Sequence, residues 1–217
     1  DFLLYDSRVV PLKFAKPSRW RTSNDGFDSF HVVAASDYFA EPAKSQIAAK
    51  VGSFDGRVRR TVAPTGGTIE VDVAGSSLPD APPNARGFVG IAFRIDEQGG
   101  TFACEGLYIR PSNGRADDQL RRNRSTQYFS YPGYDFDRLR REAAGQYESY
   151  VDLEVGEWTH LRIEVAGAQA RLYVGGAVQP ALIVNDLKRG AEAHGTVGLF
   201  VGIGADGHFR NLSVRPR

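Results

Sequence analysis

The chain has 217 residues, of which 41% are hydrophobic and 24% are charged, as in ordinary soluble globular proteins. Lysine and arginine together number 27 against 26 aspartate and glutamate, so no global field favours nucleic acid or an anionic membrane. A single cysteine excludes an intramolecular disulfide framework, and no run approaches the roughly 20 apolar residues that span a bilayer.

Apolar and polar residues alternate along most of the chain, which predicts many short β-strands and few helices. The predicted strands are Arg8–Phe14, Phe30–Ala35, Gln46–Val51, Thr68–Ala74, Phe88–Ile95, Cys104–Arg110, Gln127–Tyr131, Tyr147–Glu154, Thr159–Ala166, Ala170–Val174, Ala181–Asn185, Thr196–Val201 and His208–Val214. The charged segment Tyr134–Ala144 predicts a short surface helix or a loop. This pattern indicates an all-β sandwich or barrel that forms one domain over residues 1–217, with residues 1–25 as a segment that wraps around it.

The strand Thr68–Ala74 carries two carboxylates, Glu70 and Asp72, on the face opposite its apolar residues. At these positions the carboxylates lie roughly 6 to 7 Å apart, between the separations that retaining and inverting glycosidases use. Two interpretations remain open. The face is either a solvated outer surface or a concave surface with a carboxylate pair.

Two further strands bring one arginine and one glutamate to the predicted site. Phe88–Ile95 places Arg94 on the same face as two small residues, which leaves room for a ligand or for a second sheet. Glu105 shares a face with apolar residues, so it lies either at a wet strand end or buried beside a partner. Burial would raise its pKa and suit a general acid, whereas an arginine partner would make it a structural ion pair.

The segment from Glu105 to Tyr131 combines arginines, amides and tyrosines more densely than a connecting loop requires. Guanidinium forks, amides and tyrosine faces suit a hydroxyl-rich or anionic ligand, and carbohydrate is the ligand class we predict. The predicted catalytic residues are Glu105 and Glu70. The predicted ligand contacts are Arg94, Tyr108, Arg110, Asn113, Gln119, Arg122, Asn123, Gln127, Tyr128, Tyr131 and His194.

The histidines show no zinc-binding spacing, and no cofactor is expected. A structural calcium ion is an expectation, with Asp28 and Asp206 among its candidate oxygen ligands. Because the chain begins at Asp1 and contains no Met, we expect either a mature exported protein, periplasmic or extracellular, or a shortened chain.

Two segments of the C-terminal half, Tyr147–Gly176 and Gly195–Val214, carry a family resemblance. A Trp-bearing strand, the run RLYVGG and the closing FRNLSV strand resemble the laminin-G/concanavalin A-like jelly roll. Together with GTIEVDV and GFVGIAFR, they look most similar to the bacterial 3-keto-disaccharide hydrolase-like domains. The resemblance covers about Gln46 to Val214.

The resemblance implies a two-sheet antiparallel sandwich with a glycan-handling concave face and a charged loop or short-helix insertion. Concanavalin A-like glycanases carry Glu-x-Asp-x-x-Glu, but Gly75 stands here where the second glutamate would be. The implied activity is therefore cleavage of a glycosidic bond in a keto or acidic sugar, by hydrolysis or by elimination. The alternative is a non-catalytic, lectin-like carbohydrate-binding module.

Overall fold

A computed structural model of the chain describes three short N-terminal strands and then residues 66–96, 103–202 and 204–217. The strands are β1 (Phe2–Tyr5), β2 (Arg8–Pro11), β3 (Ser29–Val33), β4 (Gly67–Ser77), β5 (Val89–Asp96), β6 (Ala103–Ile109), β7 (Thr126–Tyr131), β8 (Glu148–Ser149), β9 (Thr159–Ala166), β10 (Gln169–Val174), β11 (Leu182–Val184), β12 (Thr196–Val201) and β13 (Ala205–Pro216). The helices of this part are α1 (Pro111–Gly114), α2 (Gln119–Arg122) and α3 (Phe136–Glu142). None of them is long and apolar enough to cross a membrane.

The strands form two antiparallel sheets that pack face to face. One sheet has six strands in the order β11-β10-β9-β4-β13-β3, and the other has five in the order β12-β5-β6-β7-β8. Strands β1 and β2 pair separately as a hairpin. The architecture is therefore the all-β two-sheet sandwich that the sequence predicts.

The core lies between the two sheets and follows the period-two alternation of their strands. In β4, Ile69, Val71 and Val73 are fully buried, while the intervening Glu70 and Asp72 face outward, as predicted. The apolar faces of β5, β6 and β12 pack against them and against those of β9 and β13. The outward-facing residues of the five-stranded sheet form a second buried cluster, which contains Ala92, Ile95, Cys104, Tyr108, Phe129 and Phe200.

The predicted strands agree with the structure apart from shifted ends, with two exceptions. Gln46–Val51 lies outside the described residues. Tyr147–Glu154 forms only the two-residue strand β8. Its continuation leaves the sheet, and there Asp152 and Glu154 bind Arg115 of the neighbouring loop, with nitrogen to oxygen distances of 2.9 and 2.7 Å. The predicted helix is confirmed as α3.

Candidate functional site

A polar network lies inside the sandwich, where β5, β6 and β7 run side by side. The Glu105 carboxylate, which is 0% exposed, accepts hydrogen bonds from Arg94 Nη1 at 3.0 Å and from the Tyr128 hydroxyl at 2.6 Å. It also accepts the backbone N–H of Arg189 at 3.2 Å. Burial and the neighbouring carboxylate raise the pKa of Tyr128, so its hydroxyl stays protonated and donates.

The backbone at Arg94 explains how its guanidinium enters this network. Its φ of 52° lies in the left-handed region, and the register between β5 and β6 shifts immediately after Phe93. Simple alternation predicts Arg94 on the outer face, whereas the distorted strand lets it reach Glu105. The structure thus brings Arg94, Glu105 and Tyr128 together, but in the interior. The catalytic role of Glu105 stays a prediction.

A pocket of about 260 Å³ opens on the outer face of the five-stranded sheet. Aromatic rings of Phe88, Tyr108 and Phe200 form its floor, with 4.8 Å between the ring centroids of Tyr108 and Phe200. Gly90 permits this arrangement, because a Cβ atom there would lie 2.6 Å from Tyr108 Cβ and 2.3 Å from a backbone oxygen. Tyr108 and Phe200 are only 3% and 1% exposed, so the half-buried Phe88 contributes most of the accessible apolar surface of this floor.

Five arginines line this pocket: Arg86, Arg110, Arg121, Arg124 and Arg140. The lining contains no carboxylate among the residues that the structure describes. One carboxylate, Glu148 in β8, lies behind the lining and contacts three of the arginines. With Glu148 counted against the five guanidinium groups, the group carries a net charge of +4.

Arg110 forms the fixed base of the pocket and is 4% exposed. Its Nη2 donates to the Tyr108 hydroxyl at 2.8 Å and to Gln127 Oε1 at 3.2 Å. Its Nη1 donates to the carbonyl oxygen of Arg124 at 3.0 Å. Burial raises the pKa of Tyr108 although Arg110 opposes the shift, so the Tyr108 hydroxyl remains protonated at neutral pH.

Glu148 holds one side of the arginine group together. Arg140 binds its carboxylate with Nη2 at 2.7 Å and Nε at 3.0 Å. Arg124 Nε lies 3.2 Å and Arg110 Nη1 lies 3.6 Å from the same carboxylate. The buried Arg124 Nε makes no hydrogen bond within the described structure, so its contact with Glu148 is purely ionic. Three guanidinium groups thus share one negative charge.

Arg86 and Arg121 occupy the other side of the pocket and lack such a counter-ion. Arg86 Nη1 donates to two carbonyl oxygens of its own loop, at 2.7 and 2.5 Å. Arg121 donates to a carbonyl oxygen at 3.1 Å and to Asn113 Oδ1 at 3.4 Å. Within the described part of the chain, no carboxylate lies within 4.0 Å of either guanidinium. Burial, and then the charges of Arg121 and Arg110, lower the pKa of Arg86. This side therefore attracts an anion from outside the chain.

Short-range hydrogen bonds fix the conformation of the loop between β6 and β7, which carries Arg121 and Arg124. The Asp118 carboxylate caps α2 by accepting the N–H groups of Leu120 at 2.8 Å and Arg121 at 3.2 Å. Asn113 Nδ2 donates to the carbonyl oxygen of Arg124 at 3.0 Å, which ties α1 to the segment after α2. The loop is therefore a preformed wall of the pocket.

The predicted ligand contacts fall into two groups. Tyr108, Arg110 and Asn113 line the pocket, and Gln127 lies directly behind Arg110. The others lie elsewhere: Arg94 and Tyr128 in the interior, Gln119, Arg122 and Asn123 on or just after α2, Tyr131 at the end of β7, and His194 in an exposed loop. Gln119 binds Asn123 at 2.7 Å, and Arg122 lies over the ring of Tyr150 at 5.4 Å.

Several residues that line the pocket were not predicted from the sequence. These are Asn84, Arg86, Phe88, Arg121, Arg124, Phe136, Arg140, Phe200 and Gly202. The arginine run of residues 121–124 gave a local signal for two of them. The remaining ones come from strands, loops and a helix far apart in sequence, so only the fold brings them together.

A second polar cluster lies on the outer face of the six-stranded sheet. His160 Nδ1 lies 2.8 Å from Asp72 Oδ1, and His160 Nε2 lies 3.9 Å from Glu70 Oε1. Asn211 donates to the other Asp72 oxygen at 2.7 Å. Burial alone would raise the pKa of Asp72, but the hydrogen bonds from His160 and Asn211 outweigh it and lower that pKa. Glu70 also pairs with Arg215.

The described residues contain no group of three or more His, Cys, Asp or Glu side chains that could hold a metal ion. Of the two expected calcium ligands, Asp206 lies 3.4 Å from His208 Nε2, and Asp28 is outside the described residues. The structural calcium ion stays a prediction.

No protein-family profile and no curated protein matches the chain by sequence. Its fold is similar to that of the carbohydrate-binding module CBM66 from Bacillus subtilis, with a TM-score of 0.51, 13% identity and 92% coverage of each chain. A candidate glycosyl hydrolase from Parabacteroides distasonis gives 0.48 and 13% identity, covering 91% of this chain and 90% of the other. The galectin LEC-6 from Caenorhabditis elegans gives 0.39 and 11%, covering 70% and 84%.

The likeness to CBM66 and the two antiparallel sheets establish the fold. The chain is an all-β, two-sheet antiparallel jelly-roll sandwich, and the fold predicted from the sequence is confirmed.

Proposed function

We propose that the protein binds carbohydrate in its arginine-lined pocket and that the bound sugar carries a negatively charged group. The observation that carries this proposal is the position of Arg86 and Arg121 above an aromatic floor. Both guanidinium groups lack a carboxylate partner among the described residues. An acidic group on the ligand would supply the missing negative charge, and guanidinium forks match such groups well.

The neutral features of the pocket support a sugar rather than a bare anion. The half-buried rings of Phe88 and Phe136 offer apolar surface to sugar C–H groups, and Asn84 brings an amide to the lining. The fold likeness to a carbohydrate-binding module adds support from outside the chain. A pocket of about 260 Å³ suits one sugar unit better than a long oligosaccharide segment.

Binding accounts for this pocket better than cleavage does. Hydrolysis or elimination needs a group that takes or gives a proton near neutral pH. The described lining contains no carboxylate and no histidine, and burial raises the pKa of its Tyr108. Glu148 is held by three arginines behind the lining. We therefore favour a lectin-like module.

Cleavage of a keto or acidic sugar is the second candidate, and the polar cluster on the six-stranded sheet favours it. There Asp72 orients His160 through a 2.8 Å hydrogen bond, and Glu70 stands on the other side of the imidazole. An imidazole held by a carboxylate is a suitable base for removing a proton beside a keto group. In this alternative Glu70 keeps the catalytic role that the sequence predicts. A periplasmic or extracellular location stays a prediction in both cases.

Titration calorimetry with neutral sugars, uronic acids and esterified sugars tests the proposal. We expect an acidic sugar to bind the wild type and to bind Arg86→Ala and Arg121→Ala about tenfold to hundredfold more weakly, the range for one lost charged hydrogen bond. Arg171→Ala is the matched control, because Arg171 is exposed on β10 and the variant changes the net charge equally. If the wild type instead cleaves a sugar of the panel, and Glu70→Gln and His160→Asn abolish that cleavage, the second candidate is supported.

A further inference from the structure

We infer that the acidic group of the sugar is a tetrahedral oxyanion ester, a phosphate or a sulfate, rather than the planar carboxylate of a uronic acid. This inference rests on the proposed function and specifies its ligand. Its basis is the number of arginines around the pocket and the two segments of the chain that carry Arg86 and Arg121.

The charge around the pocket exceeds what one carboxylate balances. Five arginines face one internal carboxylate, and Glu148 already contacts Arg110, Arg124 and Arg140. A uronate brings a single negative charge on two oxygens in one plane. A phosphate monoester brings about −1.5 to −2 charges at pH 7, and both esters bring three terminal oxygens. The arginine group therefore matches an ester better in charge, in oxygen count or in both.

The free donors approach from different segments, which suits a tetrahedral group. Arg86 enters from the loop before β5, whereas Arg121 enters from α2. Arg110 lies at the base of the pocket, and its own N–H groups donate to Tyr108, to Gln127 and to a backbone carbonyl oxygen. The three terminal oxygens of an ester can accept hydrogen bonds from both the Arg86 and the Arg121 guanidinium groups at once.

The aromatic floor separates this site from one for inorganic phosphate. Phe88 at the floor and Phe136 beside it are half-buried and give apolar surface that a free anion does not use but a sugar ring covers. The ester should therefore bind more tightly than the free anion. The sugar ring would lie over the floor, and the ester group would lie toward Arg86 and Arg121.

The test compares glucose and galactose with their 6-phosphates, their 6-sulfates and the corresponding uronic acids, and with inorganic phosphate and sulfate, at constant salt. We expect at least one sugar ester to bind about tenfold or more tightly than its uronic acid and its free anion. Arg86→Ala and Arg121→Ala should remove this advantage, and Arg171→Ala should retain it. Thermal unfolding of each variant checks that it is folded.

The pH dependence distinguishes the two esters. The second pKa of a phosphate monoester is near 6, so lowering the pH from about 7.5 to about 5 removes charge from a phosphate but not from a sulfate. The charged groups around the pocket are Arg86, Arg110, Arg121, Arg124 and Arg140 with Glu148, and no histidine is in the described lining. Affinity that falls severalfold over this range identifies a phosphate, and constant affinity identifies a sulfate.

Two outcomes would overturn the inference and leave acidic-sugar binding intact, and a third would refute the proposed function. Uronic acids that bind in the pocket as tightly as the esters would be the first. Uronic acids that bind while no ester binds would be the second. Free phosphate or sulfate that binds as tightly as the sugar esters would leave an oxyanion site but refute the carbohydrate function.

Discussion

Replacing Glu105 by glutamine tests whether this carboxylate is structural. In the folded chain Glu105 is 0% exposed and accepts hydrogen bonds from Arg94, Tyr128 and the backbone of Arg189. Glutamine keeps the volume but replaces one acceptor oxygen by an NH2 group and removes the negative charge. Arg94, which is also 0% exposed, then remains in the interior without its counter-ion.

The expected loss of stability is large. Removing one partner of a buried ion pair costs about 3 to 5 kcal/mol, because the remaining charge is desolvated and uncompensated. For a chain of this size such a loss lowers the melting temperature by about 6 to 20 °C. Urea unfolding followed by tryptophan fluorescence gives the free energy of unfolding directly. Glu192→Gln is the control, because Glu192 is exposed and makes no side-chain bond in the described structure.

The outcome separates the structural role from the catalytic role that the sequence predicts. If Glu105→Gln unfolds with the free energy of the wild type, the account of the interior network is wrong. A stable variant that has lost turnover of a glycoside would restore Glu105 as a catalytic candidate. The double variant Arg94→Met/Glu105→Gln should be less destabilised than the sum of the single changes, because no uncompensated charge remains.

Three further results are expected. Stability that depends on Asp72 should be present above about pH 4, the unfolded pKa of an aspartate, and should be lost as the pH falls through the lowered pKa of the folded state. Urea unfolding of Asp72→Asn should therefore depend less on pH in this acidic range than that of the wild type, and equal dependence would contradict this. Burial raises the pKa of Cys104 to about 12, so iodoacetamide at pH 8 should label it only after unfolding, and labelling of the folded protein at a comparable rate would contradict this. Gly114→Ala should lower the free energy of unfolding by about 1 to 3 kcal/mol, since its Cβ would lie 2.4 Å from the Leu153 nitrogen, and an unchanged value would refute this contact.

The fold could be predicted because alternation is a local property of each strand. The alternation in TIEVDVA predicts which residues are buried and which face outward, and each residue of β4 from Ile69 to Val73 follows that prediction. Alternation fails where the backbone is distorted. Nothing in the sequence of β5 indicates that Arg94 adopts a positive φ. A prediction that assumes a regular strand therefore places the Arg94 guanidinium on the outer face, which is wrong.

The site could be predicted only in part. The arginine-rich loop after β6 identified Arg110, Asn113 and Tyr108, because they lie in one continuous segment. Arg86 and Phe200 reach the same pocket from other parts of the chain. Their convergence depends on the pairing of β5 with both β6 and β12, which no local pattern specifies.

A crystal structure with the tightest-binding acidic sugar of the panel tests the central claim most directly. The account predicts that the sugar ring contacts Phe88 and Phe136 and that its acidic group contacts Arg86 and Arg121. A sugar bound instead beside His160, on the outer face of the six-stranded sheet, would contradict the account and favour the cleavage candidate.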